Sequence, residues 1–349
     1  MKRIVIGLLI LITLGVGALT WLIVVYPTQK PAPKPSKTVA LQLEPNGTLE
    51  AAAQQLHARG LIEQPSLFAL YARVMGAQAR LRQGQVLVTS QMTIRQLLQR
   101  IAVGYGSTPL LITIPEGFSR FEVAQRLQEW GVCDAAAFLS TDAGAGAQAA
   151  EGYLFPDTYW LQDGMAPSLV LKKVADNAQR RMSEVFEIEG QALDQLKQDF
   201  GFGQREVVIL ASIVEKEAHV PSEQALIAGV FLNRLRDPRF KPKRLQADPT
   251  VAYGCNLRRD LPSCAAFDGK RVTRVMTSDP ENPYNTYRIE GLPPSAIANP
   301  GLSALRAVLH PAEHGFFYFV ARRDGHHSFS ASLEEHNLAV HGEPATAIK

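Results

Sequence analysis

The chain has 349 residues, of which 46% are hydrophobic, enough to bury a sizeable core and to build two soluble domains. A formal net charge of +3 is too slight to argue for a nucleic-acid partner. No GxSxG elbow, P-loop or dinucleotide-binding glycine run is present, which leaves those chemistries without support.

Met1-Lys-Arg precedes Ile4–Tyr26, an uninterrupted apolar stretch of about 23 residues, long enough to span a bilayer core. A cleaved signal would carry an apolar region of only about 7–15 residues and a small-x-small site. Here the stretch runs on through Trp21-Leu-Ile-Val-Val-Tyr26, so residues 1–26 are expected to be a retained transmembrane anchor. Lys30, Lys34 and Lys37 compete with Lys2 and Arg3 under the positive-inside rule, and the charges alone leave the orientation open. Residues 27–37, PTQKPAPKPSK, are expected to be an extended spacer that holds the body off the membrane.

Residues 38–108 read as a small module. Val39–Leu43 alternates like a strand, Thr48 is placed to cap a helix ending near Gly60, Ser66 and Thr93 to cap two more, and Val86–Val88 makes a short strand. Residues 109–349 form the second domain, which opens on a repeat of the same strand–turn–helix order: Leu111–Ile114, Pro115-Glu-Gly117, Ser119 and a helix closing near Gly131. Glu151-Gly-Tyr-Leu-Phe-Pro-Asp-Thr-Tyr159 then sets rings beside acids. Saccharide subsites use that pairing, rings stacking on sugar C–H faces while carboxylates take hydroxyls. Glu151, Tyr153 and Asp157 are therefore cleft candidates, and aromatic core packing explains them equally well.

Val207–Glu217 is a nearly all-apolar helix that runs into Glu215-Lys-Glu217. Leu210, Val214 and Glu217 stand at i, i+4 and i+7, so the last carboxylate continues the apolar stripe. Glu215 lies about 200° away around the helix and faces elsewhere. A carboxylate at the end of a buried stripe is desolvated, its pKa rises, and it becomes a proton donor at neutral pH. The competing expectation is that these acids are the solvated end of a core helix. After Pro221, Ser222 is placed to cap a second helix, Glu223–Arg236. Arg234, Arg236, Arg239, Lys241, Lys243 and Arg244 form a basic run, either a solvated loop or an attraction for an anionic polymer. Asn233, Gln246, Asp248, Thr250, Tyr284, Asn285 and Tyr287 offer amide, carboxylate, hydroxyl and phenol groups that would bind acetamido groups and orient a sugar ring, or fix loops. Cys255 and Cys264 could close a short disulfide in an oxidising compartment, leaving Cys133 unpaired; three free thiols are the alternative. Pro311 separates His310 from His314, and His326-His327 looks like a surface pair, so no metal site is expected.

Several short motifs follow the Glu217 helix in order: Phe231-Leu-Asn-Arg-Leu235, Leu245–Gly254, Tyr284–Tyr287, Gly291–Pro294, Ile297–Gly301 and Phe317–Val320. Each is weak alone, but the ordered series resembles the YceG-like family, the endolytic murein transglycosylases, over almost the whole chain. The resemblance implies that Glu217 is the catalytic residue, in agreement with the stripe, and that the other polar residues named above are substrate-binding. It also implies a LysM-like first module, a cytoplasmic N-terminus on the inner membrane, a periplasmic body and no cofactor. Peptidoglycan strands would be the substrate and wall synthases the partners. Relatives usually carry a hydroxyl residue after the glutamate where this chain has Ala218.

The expected fold is α+β: a transmembrane helix, the small module, and a mixed catalytic domain whose helical core carries Glu217, with strands at Arg288-Ile289 and Phe317–Val320 in a small sheet. The expected reaction cleaves the β-1,4 bond between N-acetylmuramic acid and N-acetylglucosamine inside strands, leaves 1,6-anhydro ends and terminates elongation. An internal nucleophile makes a second catalytic carboxylate unnecessary, so Glu217 is expected to stand alone. Two rivals are a lysozyme-like hydrolase, with Asp157, Asp248 or Glu151 as second acid, and a non-catalytic anchor that binds peptidoglycan for synthases.

Overall fold

A computed structural model describes residues 13, 15–29, 38–44, 47–77, 81, 84–89, 92–102, 110–143, 151–162, 164–218, 220–269 and 271–341. The protein is mixed helix and sheet and divides into two compact units, the first made of residues 1–112, 124–137 and 159–167, the second of 113–123, 138–158 and 168–349.

Most of the expected anchor, residues 1–12 and 14, lies outside the described residues. Among the described residues no helix is long and apolar enough to cross a membrane. The end of the apolar stretch is wound into helical turns, Trp21–Val25 and Tyr26–Thr28, and it is seated on the first unit. Leu22 and Tyr26 are buried in that unit's core, with the Tyr26 ring edge-on to Tyr71 at 5.8 Å, and the Ile94 N–H donates to the Gln29 carbonyl at 3.0 Å. The part of the Pro27–Lys37 spacer that is described, residues 27–29, therefore begins docked; residues 30–37 lie outside the described set.

The first unit is built on an antiparallel pair, β1 (Thr38–Leu43) with β2 (Gly84–Thr89), in register from Thr38↔Thr89 to Leu43↔Gly84. Between them come α1 (Leu49–Ala58) and α2 (Pro65–Val74), and α3 (Ile94–Ile101) follows. Thr48 caps α1 through its hydroxyl, and Thr93 caps α3 in a reciprocal box with Gln96, which satisfies amides that would otherwise be orphaned. Ser66 is no cap: Gln64 takes that position, because Pro65 occupies the first helical residue.

The repeated strand–turn–helix appears as β3 (Leu110–Ile114) and α4 (Arg120–Glu129), followed by α5 (Ala135–Ala143) and β4 (Asp157–Leu161), which pairs with β3; each of these four elements has residues in both units. The helical core comprises α6 (Pro167–Ile188), α7 (Gly190–Phe200), α8 (Gln204–Glu217) and α9 (Gln224–Arg236). Gly201, at φ 74°, closes α7 in the left-handed conformation that only glycine adopts cheaply. Every residue from Val207 to Val214 of α8 is buried, so this is a central helix covered on all sides. A 3-10 turn, Pro221–Glu223, leads into α9, and Ser222 again fails to cap because the proline precedes it.

The chain continues through α10 (Asp248–Leu257), α11 (Arg274–Ser278) and α12 (Leu302–Leu309) to a hairpin of β5 (Tyr318–Ala321) with β6 (His327–Ser330), closed by α13 (Leu333–Val340). Phe317–Val320 thus finds its strand partner in His327–Ser330. Arg288-Ile289, expected as a strand, is turn and bend. Cys255 and Cys264 are disulfide-bonded across nine residues, and Cys133 is free and buried. Replacing both bonded cysteines by serine should lower stability by about 2–3 kcal/mol, as expected for a loop this short, and the drop in denaturant midpoint measures it.

Candidate active site

The two acids at the end of α8 have different fates. Glu215 accepts a hydrogen bond from the Gly301 N–H at 3.1 Å, at the start of α12. Burial and the nearby Glu116 raise its pKa, while the Gly301 bond and Lys216 oppose the rise. Lys216 donates to the Gly117 carbonyl at 3.1 Å. Glu215 and Lys216 are thus spent on tying α8 to neighbouring loops, and neither is a freely solvated helix end.

Glu217, two residues on, is half-buried, and among the described residues no group hydrogen-bonds its carboxyl. Its pKa is raised to about 7, first by burial and then by the Asp248 carboxylate, against the opposing pull of Arg234. A carboxyl poised near neutrality can both give and take a proton there. Asp248 is thus a second carboxylate that bears electrostatically on Glu217.

Arg234 is the site's structural surprise. It belongs to the basic run of the sequence, yet it is buried. Its Nε donates to the Phe317 carbonyl at 2.6 Å and its Nη1 to the Leu245 carbonyl. Four rings surround the guanidinium, with centroids at 5.8 Å for Phe231, 5.5 Å for Phe240, 5.7 Å for Tyr318 and 6.0 Å for Phe319. Burial pulls its pKa down to about 10, so it stays charged at neutral pH. Elsewhere in the run, Arg239 pairs with Asp237 and Arg236 with Asp199.

Asp248 opens α10 and is exposed. Its Oδ1 accepts from the Tyr287 hydroxyl at 2.7 Å, and burial together with that bond drives the Tyr287 pKa upward, so the phenol keeps its proton. Gln246, two residues before Asp248, is also exposed. Three of the sequence candidates, Glu217, Asp248 and Tyr287, are therefore electrostatically coupled around Arg234.

The remaining candidates lie elsewhere or are scaffold. Glu151 is buried, and both its oxygens accept from the Arg120 N–H at 3.1 Å while one also takes the Asn299 amide at 3.2 Å. Asp157 accepts from the Asn177 amide at 3.0 Å. Tyr153 lines a separate groove of about 290 Å³ with Met182 and Phe186. Tyr284 is fully buried and bonded to Ser295 at 2.7 Å; Asn285, also fully buried, donates to the carbonyls of Met276, Thr277 and Asp279. Thr250 is buried on Thr286 at 2.8 Å. Asn233 donates to the His314 and Phe316 carbonyls and lines a groove of about 780 Å³ on the Gly229–Leu232–Arg236 face of α9, away from Arg234.

The expectation of a surface pair at His326-His327 also changes. His327 is buried, and both it and His326 hydrogen-bond Glu223, at 2.7 and 3.1 Å. Burial alone would raise the Glu223 pKa, but these bonds hold it below its ordinary value. His310 pairs with Glu189 at 2.7 Å. Among the described residues no three His, Cys, Asp or Glu side chains are grouped to hold a metal ion.

A desolvated glutamic acid at the end of a central helix, with an exposed carboxylate and a buried cation bearing on it, is a group able to give and take a proton near neutral pH. The model of the YceG-like family matches residues 41–342, and the chain belongs to that family. It is 28% identical over 335 residues to the endolytic murein transglycosylase of Bacillus subtilis (strain 168), covering 89% of this chain and 86% of that protein. It is 25% identical to the endolytic murein transglycosylase of Streptococcus pneumoniae serotype 2, over 87% of this chain and 58% of that longer protein. A crystal structure of a YceG-like protein from Listeria monocytogenes shares the fold at a TM-score of 0.53 and 24% identity, over 87% of this chain and all of that one.

Proposed function

We propose that this chain is a membrane-anchored endolytic murein transglycosylase that cleaves the β-1,4 bond between N-acetylmuramic acid and N-acetylglucosamine within peptidoglycan strands. The observation that carries the reading is Glu217, with a pKa of about 7 and no hydrogen-bond partner among the described residues. Protonated Glu217 gives its proton to the glycosidic oxygen as the bond from that oxygen to C1 breaks. The carboxylate so formed takes the proton of the muramoyl 6-hydroxyl while that oxygen closes onto C1, which leaves a 1,6-anhydro end and returns the acid to its starting state. A pKa near neutrality suits both steps, because neither proton transfer is strongly uphill.

The β1–α1–α2–β2 order of the first unit supports a LysM-like reading of that module and contact with glycan. Export is supported by the apolar N-terminal stretch and by the Cys255–Cys264 disulfide, a bond that persists in oxidising compartments. A body held at the inner membrane beside wall synthases would meet nascent strands and end their elongation.

Asp248 favours a second reading. A hydrolase needs two carboxyls, about 5–9.5 Å apart, to act on a sugar and a water, and Asp248 is the carboxylate coupled to Glu217. Product chemistry separates the two. Purified peptidoglycan incubated with the protein and with its Glu217→Gln variant, then analysed by mass spectrometry, should show anhydromuramoyl ends with the wild type alone. Reducing ends would overturn the transglycosylase reading in favour of the hydrolase. No product from a folded wild type that binds glycan would favour a non-catalytic anchor.

A further inference from the structure

The loop that carries Asp248 is fixed more firmly than its exposure requires. Gln246 has φ 54°, a left-handed conformation costly for a residue with a side chain. Its N–H donates to the Thr286 carbonyl at 3.1 Å, the Ala247 N–H to the Thr286 hydroxyl at 3.0 Å, and Thr250 joins the same hydroxyl at 2.8 Å. On the opposite strand of this clamp, the Tyr287 N–H donates to Asn285 Oδ1 at 3.1 Å, and the Asn285 amide is anchored on three carbonyls. Buried polar groups and a strained residue thus converge on one contact at the surface, the 2.7 Å bond from the Tyr287 hydroxyl to Asp248.

We infer that Asp248, aimed by the Tyr287 phenol, is the fixed anion that offsets the positive charge developing at C1 when Glu217 protonates the glycosidic oxygen. The inference rests on the transglycosylase reading. Before the reaction Glu217 is a neutral acid and the nearby Arg234 is a cation, which by itself disfavours a second positive charge on the sugar. An oxocarbenium-like transition state therefore needs an anion at the site, and Asp248 is the exposed carboxylate coupled to Glu217. Tyr287 is a positioning residue in this scheme; it spends its hydroxyl hydrogen on holding the anion in one orientation, in the manner of preorganised catalytic dipoles. Arg234 has the complementary task of stabilising the Glu217 carboxylate that exists between the two proton transfers.

The charged and titratable groups around Glu217 among the described residues are Asp248 on α10, Arg234 on α9 and Tyr287 in the loop before Gly291, with Tyr318 and His336 beyond Arg234. Glu217 acts in its protonated form, so the wild-type rate should fall as pH rises through about 7. Removing the Asp248 charge removes one cause of the raised pKa, and the fall should move to lower pH.

The test compares full-length wild type, Asp248→Asn and Tyr287→Phe in detergent, with circular dichroism and thermal melting to establish folding, rates from pH 5 to 9, and product ends by mass spectrometry. At pH 5 Asp248→Asn should be slower on the order of 100-fold, the size of effect seen when a preorganised charge partner is lost, with its alkaline limb displaced downward and its residual product still anhydro-ended. Tyr287→Phe, which keeps the charge but releases it, should lose about 10-fold. An Asp248→Asn protein that matches wild type at pH 5 and keeps the same limb, with anhydro ends from both, overturns the role of Asp248 and leaves the transglycosylase reading intact. Reducing ends from the wild type overturn that reading and this inference together.

Discussion

Glu217→Gln is expected to lower strand cleavage by at least about 100-fold, since the amide can neither give nor take the proton that general acid–base catalysis supplies. The same change should stabilise the protein at alkaline pH. A glutamate whose pKa is raised to about 7 in the folded state favours folding fully only below its ordinary range near 4.5. That stability is lost as pH rises through 7, when the enclosed carboxyl must ionise. The difference between the two pKa values corresponds to at most about 3 kcal/mol above pH 7. Urea midpoints of wild type and Glu217→Gln should therefore agree near pH 4.5 and diverge by pH 8, with the variant the more stable. Equal midpoints across that range would mean that the carboxyl is solvated and that α8 does not carry the acid. Glu215→Gln should behave differently, with a small effect on rate, because Glu215 is engaged with the Gly301 amide.

Glu217 was legible because its evidence is local: an apolar helix with a carboxylate at i+7 states its own burial. Thr48 and Thr93 were legible for a similar reason, each standing directly before its helix. Ser66 and Ser222 misled because a proline precedes each; proline fits the first helical position, and this moves the cap upstream of the serine. The strand partner of Phe317–Val320 and the burial of His327 against Glu223, more than a hundred residues away, depend on long-range pairing that periodicity does not encode. Glu151, Tyr284 and Asn285 show the limit most plainly, since a polar residue in an aromatic-rich loop looks the same whether it opens on a cleft or is bonded inside the wall. Arg234 had a usable signal. Ile227, Val230, Phe231 and Arg234 stand at i, i+3, i+4 and i+7, the same kind of stripe that singles out Glu217, but the cations that follow made the residue look like part of a solvated run.

Arg234→Ala is expected to be the most destabilising single substitution at the site, by about 3–5 kcal/mol, the range for removing one partner from a buried charged network. Three losses coincide: the Phe317 and Leu245 carbonyls are left without their donor, a hollow opens among four aromatic rings, and Glu217 loses the cation that favours its ionised form. Arg234→Lys separates charge from geometry. Lysine keeps a positive charge but cannot present the planar fork that reaches two carbonyls at once, so its loss of stability should be intermediate. Its ammonium, placed less rigidly, should hold the Glu217 carboxylate less well. The alkaline limb of the rate profile should then move to higher pH, opposite in sign to the displacement expected for Asp248→Asn. Chemical denaturation and rate profiles of the lysine variant measure the two effects independently. If the limb moved downward, or stayed in place in a folded protein, Arg234 would be a structural clamp alone and the poise of Glu217 would belong to burial and Asp248.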